Sequence, residues 1–562
     1  MSSTPGVGVG IGIGIGNGDI DTTLLNNRFL GFLIWQSVQS TLVYFLSKSL
    51  LLSPFTLNPF TPSLSSFFSF LSFHFSLLLF SLSISAVASP QPHTAATPLE
   101  LSLGLLRLLF VSGAQPLSPD FRRRARVSLV FVLFVTACAL SGLLAVICVC
   151  WKCFEDSFDG GSRARRLLGT LGFRGFAIGF FYAVCYLYKR RWVLEFPIIQ
   201  RPPFFSFKMG LPSAIRQALK LSSAAYFFSA VLAVFLHYEF KGQVTMVKLI
   251  VEQIILCIGV FVVFLCWELN HHLHQVLHTR RFIFAPPKGS AAAETNPSEP
   301  LLTALERTPR SLMQYLAYLD LCMVCESNVD TWRRAAFFEE TGDTYKRVII
   351  VCLRPLEQFA SKLGEGLESS VDKSFQLGHQ LQLPTDPQLG SRLHEIFYDF
   401  QLCAWCARIV SSLTVHSHKE DRFGVAQLSG SNTAVISTLL SCLLAVETFM
   451  GKKTNLQSSP NYLMGPAGIK WATLSTGRRE TDSAMGVTGK RRGSPLYSKA
   501  YSMADILRTL IYCIVSTFHD EMMSSAKAGF LEKEWIISGK PLYGTRDLLL
   551  QKLRLFLDLQ AC

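Results

Sequence analysis

Three histidines, His271, His274 and His278, recur at i, i+3 and i+7, a spacing that sets the imidazoles on one helix face where they could hold a metal. A membrane di-iron oxidase needs several such boxes, and the other histidines are scattered, so the trio reads as an interfacial polar face. Cys322-x-x-Cys325 and Cys403-x-x-Cys406 resemble half zinc sites. Each lies in a helical apolar pattern rather than a turn-rich one, which favours core cysteines. The stretch GVTGKR at 486–491 fails as a phosphate loop, because Ala484 stands where the first glycine belongs and Arg491 where a Ser or Thr must meet magnesium. No nucleophile and base are paired by spacing, and no cofactor is expected. Two charges remain inside apolar runs: Arg174 and Glu252. Each lies six or seven residues into its run, about 10 Å deep at 1.5 Å per residue, so the two are expected to pair or face each other within a bundle, where an unpaired charge is costly, the alternative being that each snorkels to the interface.

The elements that hold these residues divide the chain in two. Val247 to Leu269 is an apolar run with Lys248, Glu252 and Glu268 as its only charges, long enough to cross the roughly 30 Å hydrocarbon layer. Trp267 is expected to mark its exit. Five further spans are expected at 29–47, 64–88, 127–151, 167–188 and 221–238, and a shorter apolar stretch, 101–111, is expected to lie in the interface. The expected division is a disordered Gly-repeat leader at 1–28, six spans within 29–270 and a linker at 271–307. Six crossings put both ends of the chain on one side. With a cytosolic N-terminus, cytosolic segments would carry 16 Lys/Arg and the opposite segments 6, which the positive-inside rule favours.

Beyond the linker the pattern is helical: one part at 308–450, a basic disordered loop at 451–495 and a second part at 496–562. Asp330 is expected to cap a helix that Gly342 stops. Pro355 should bend or interrupt the next helix near Val351, and 363–387 reads as a loop. The run 431–450 is long enough for a seventh span, but its Ser and Thr content favours a buried or membrane-lying helix.

The totals agree with this division. Net charge is +12 up to Arg281 and +2 beyond it, so the basic excess belongs to the membrane half and no direct nucleic-acid binding is expected. The 15 cysteines show no disulfide framework. The fold class expected is all-α, a six-helix transmembrane bundle followed by a helical cytosolic domain.

The segment CESNVDTWRRAAFFEETGDTYKRVIIVCLRPLE, 325–357, resembles the nuclear-division-cycle transmembrane nucleoporins in their plant form. NRFLGFLIWQSVQSTLVYFLSK near the start and FRRRARVSLVFVL before the third span are similar to the same family. The resemblance implies six nuclear-envelope spans, both termini on the cytosolic and pore side, and a C-terminal region that docks scaffold nucleoporins. It implies inner-ring nucleoporins and the Aladin-type β-propeller as partners, membrane lipid as solvent and self-association as an option. It brings no catalytic residues. Trp332, Arg333, Arg334, Phe337, Phe338, Tyr345, Lys346 and Arg347 are expected to form a docking patch or its support, the alternative being that the apolar members pack the core. Rival readings are a membrane enzyme using the histidines and a small-solute transporter lined by Arg174 and Glu252.

Overall fold

The computed structural model describes residues 17–51, 64–110, 119–155, 161–197, 200–235, 246–286, 289–291, 296–306, 311–328, 330–376, 395–455 and 495–561. The regular structure among the described residues is helical, apart from one isolated bridge between Ser89 and Val193. They fall into two compact units, residues 1–282 with 308–316, and 283–307 with 317–562.

The first unit holds α1 (Asn17–Leu46), α2 (Leu64–Val87), α3 (Pro98–Phe110), α4 (Pro119–Glu155), α5 (Gly161–Tyr188), α6 (Pro203–Phe235) and α7 (Met246–His278). All of these except α3 are long and apolar enough to cross a membrane. Helix α1 begins at Asn17, inside the stretch expected to be a disordered leader; residues 1–16 lie outside those described. Helix α6 begins 18 residues ahead of the expected span and runs through Pro212, because the amphipathic segment before the span continues the same helix. Helix α7 continues to His278, through part of the expected linker.

Two features lock this bundle. Helices α4 and α5 cross with backbones in contact at Gly142, Gly175 and Gly179. A Cβ at Gly175 would lie 2.7 Å from the Gly142 carbonyl oxygen, and one at Gly142 would lie 2.5 Å from that of Gly175. Gly175 and Gly179 are four apart, the small-residue spacing that lets membrane helices approach closely. The second feature is an aromatic core. Trp267 is fully buried, stacked on Phe80 at 4.7 Å and packed on Tyr182 at 4.9 Å. Trp267, expected to mark a membrane exit, is thus a buried core residue: two neighbouring helices, α2 and α5, supply rings that sequence spacing does not reveal.

The second unit holds α8 (Glu299–Glu306), α9 (Leu312–Glu326, shared with the first unit), α10 (Thr331–Ala335), α11 (Asp343–Gln376), α12 (Phe400–Glu420), α13 (Val425–Leu428), α14 (Ser431–Asn455), α15 (Pro495–Thr517), α16 (His519–Lys527), α17 (Leu531–Trp535) and α18 (Arg546–Ala561). Helix α14 is the centre, packed by α11, α12, α15, α17 and α18. It is the seventh apolar helix long enough to span, yet 72% of its apolar window is buried in the fold, against 22–50% for the other six. Val435, Leu439, Leu440, Leu443 and Val446 are shielded by protein, so packing accounts for its apolarity.

Helix α11 runs unbroken through Pro355 to Gln376, past the point where a loop was expected to begin. Proline removes the hydrogen bond to the carbonyl four residues back. That carbonyl, Val351 O, accepts instead from the Tyr318 hydroxyl at 3.1 Å. Helix α10 is shorter than expected, ending at Ala335, with turns from there to Gly342. Asp330 does occupy its N-cap position, but no side-chain cap bond forms. Its backbone carbonyl takes the Arg333 and Arg334 N–H groups. The expected linker contains α8, which buries Leu301, Leu302 and Leu305. The loop expected at 451–495 lies, from 456 to 494, outside the described residues.

Candidate docking faces

In the first unit, Arg174 is buried and its Nη1 donates to Gln253 Oε1 at 2.7 Å. The same oxygen accepts from the Tyr226 hydroxyl at 2.9 Å, and the guanidinium lies 5.1 Å from the Tyr226 ring centroid. Glu252, half-buried, precedes Gln253 in α7. Arg174 and Glu252 thus belong to helices that meet around α6, with Gln253 as a polar link the sequence reading missed.

A second buried charge went unrecognised. Glu268 is gripped by both Nη atoms of Arg191 at 2.6 Å. Arg191 sits just past α5 and Glu268 on α7, so only the fold brings them together. Arg28 of α1 donates to the carbonyls of His278 and Arg280, each at 2.8 Å, satisfying acceptors that the end of α7 leaves open. The histidine trio is taken up by packing. His271 Nδ1 is 3.3 Å from the Tyr186 hydroxyl, while His274 and His278 stack at 3.9 Å with the Phe32 ring edge-on to both.

In the second unit the eight residues of the expected patch separate by burial. Arg333 is buried against Asp320 at 2.8 Å and donates to Phe284 O at 3.1 Å. Arg334 is buried and pairs with Glu420 at 2.6 Å. Its Nη1 donates to Cys325 O at 3.1 Å and Ser327 O at 3.2 Å, closing the end of α9. Phe337, Phe338 and Tyr345 are core residues, with the last two rings 5.4 Å apart. Burial pushes the Tyr345 phenol up from its ordinary range. Trp332 is 40% exposed, Lys346 is exposed, and Arg347 is partly exposed while bridging Glu299 at 3.1 Å and Glu306 at 2.9 Å. As a surface, the patch is therefore Trp332, Lys346 and Arg347, carried on a buried frame of the other five.

Both Cys-x-x-Cys pairs are internal, on α9 and α12. Burial raises all four thiols, Cys322 to about 12, which makes them poor nucleophiles at neutral pH.

Two further features lie outside the expected patch. Helix α18 turns Leu549, Leu553 and Phe556 inward and leaves Leu548, Leu555 and Leu559 outward, an apolar stripe on the unit's surface. An open cleft of about 600 Å³ lies where the start of α14 meets α16 and α17, lined by Asn432, Thr433, Glu521, Phe530, Glu534 and Trp535 among others. Its charged lining is acidic. It offers acceptors and aromatic surface, a composition suited to recognition.

The comparisons bear on this second unit. The family model described as Nucleoporin protein Ndc1-Nup matches residues 382–523, about a quarter of the chain. Over these residues the chain is similar to the Ndc1-Nup nucleoporins. The match takes in α12 to α15, including the central helix α14, and runs into α16. It begins beyond the Trp332 to Arg347 patch and includes Asn432, Thr433 and Glu521 of the cleft. No curated protein matches the chain. That family is a structural nucleoporin family, and the six apolar helices of the first unit are long enough to cross a membrane, which supports a nucleoporin of the transmembrane kind.

Proposed function

We propose that this protein is a transmembrane nucleoporin that anchors the pore scaffold in the nuclear envelope and assists pore assembly, in support of mRNA and protein transport. The first unit holds the membrane, and the second docks scaffold nucleoporins. What carries the reading is the coincidence of the family match with the packed second unit, in a chain whose first unit has six helices fit to span lipid. The partners proposed are inner-ring nucleoporins, the Aladin-type β-propeller and a second copy of the chain, with no direct nucleic-acid contact. Trp332, Lys346 and Arg347 form one proposed docking face, supported by Arg333, Arg334, Phe337, Phe338 and Tyr345. Both termini are proposed to face the cytosol and pore after six crossings, and Glu252 is proposed as the countercharge of Arg174.

A chain ending at residue 282 tests the division of labour. It should enter the nuclear envelope yet spread through the connected membrane, while the full chain collects at pores. A truncated chain that still concentrates at pores would refute docking by the second unit.

A further inference from the structure

Helix α3 is built to stand beside the entrance of α4. Thr97-Pro98-Leu99-Glu100 is a capping box: the Thr97 N–H donates to Glu100 Oε2 at 3.1 Å, and the Glu100 N–H to Thr97 Oγ1 at 3.2 Å, with Pro98 in the first helical position. The other oxygen of Glu100 accepts from Arg124 at 3.1 Å. The Ser128 hydroxyl donates to Ala96 O at 3.0 Å, and the Phe121 ring lies on Gly104, where a Cβ would collide with it. Three contacts from one turn-rich stretch thus fix α3 against the first turns of α4.

What this leaves open has a definite chemistry. Leu99 is 68% and Leu103 57% exposed, four residues apart on one face of α3. Arg122, Arg123 and Arg126 are exposed and have no ion-pair or hydrogen-bond partner among the described residues, unlike Arg124. Arg122 and Arg126 share one face of α4 with Leu129 and Leu133, both exposed, seven and eleven residues on. That face goes from cationic to fully apolar over about 10 Å at 1.5 Å per residue, the depth over which a leaflet passes from headgroup to hydrocarbon.

We propose that α3 and the arginines at the start of α4 form a binding surface for acidic phospholipid headgroups, with the α3 leucines seated in the acyl boundary. A zwitterionic headgroup would leave three cations unmatched, whereas an acidic one neutralises them. In the proposed topology this end faces the cytosolic and pore leaflet, where acidic lipids concentrate. The surface is independent of protein partners, so its failure would leave the anchor reading standing.

Lipid retention tests it. The full-length chain is reconstituted in a fixed mixture of phosphatidylcholine and phosphatidylserine, purified in mild detergent, and its bound lipid measured by mass spectrometry. Phosphatidylserine should exceed its share of the mixture by roughly fivefold or more, the effect of even one basic residue near a charged surface, and the excess should shrink with salt. R122Q/R123Q/R126Q should return the lipid to the mixture ratio, and L99S/L103S, which keeps the charges, should lower the excess. K527Q/K533Q/K540Q, an equal charge loss in the second unit, should leave it unchanged. All variants must elute as the parent does. No excess in the parent chain, its survival in the arginine variant, or an equal loss in the lysine control would overturn the proposal.

Discussion

Arg333 and Arg334 are neighbours in the chain with opposite partners, Asp320 behind one and Glu420, 86 residues away, behind the other. Removing one member of a buried pair strands the other charge, so Arg333→Met should destabilise the second unit by about 3–5 kcal/mol, read as earlier thermal unfolding of the full chain. Lys346→Glu, on the open side of α11, should shift stability by no more than about 0.5 kcal/mol while changing partner capture. Sequence reading picked out this stretch for its arginines and aromatics, and the structure buries five of the eight. It could not sort frame from surface, because the sorting depends on carboxylates elsewhere in the chain. The Arg347 hydrogen bond holds the Glu306 carboxyl below its usual range. A depressed carboxylate stabilises the fold above its unfolded pKa, and that stability is lost as pH falls through the folded value. Arg347→Met should therefore flatten the acid limb of the unfolding profile below about pH 4.3, the ordinary Glu value.

Helices are where period and length were legible and ends were not. The apolar runs of α1, α2, α4, α5, α6 and α7 stand out in the sequence because lipid demands about 20 apolar residues per crossing. Helix α14 meets the same demand yet serves as a core, a distinction made only by the helices packed around it. The α4–α5 crossing was invisible for a related reason: a glycine shows its purpose only when the backbone that fills its place is known. Gly179→Leu should force these helices apart, at a cost of at least about 1–3 kcal/mol, seen as aggregation or faster proteolysis of the first unit in detergent. Proline 355 shows the opposite case, a helix breaker tolerated because Tyr318 accommodates the freed carbonyl. Tyr318→Phe should cost about 1 kcal/mol or somewhat more in the unfolding of the second unit.

At the scale of the whole molecule, an uneven charge and an uneven hydropathy coincide with two compact units. The first is fit for lipid, and the second carries the nucleoporin match, the Trp332 face, the α18 stripe and the acidic cleft. An anchor needs both units joined in one chain. Proximity labelling from a tag after Cys562, in living cells with the full chain at native level, tests this most directly. A pore anchor predicts labelled neighbours dominated by scaffold nucleoporins, the inner ring foremost. Labelling dominated by lumenal proteins, or by general membrane proteins without the scaffold, would contradict it.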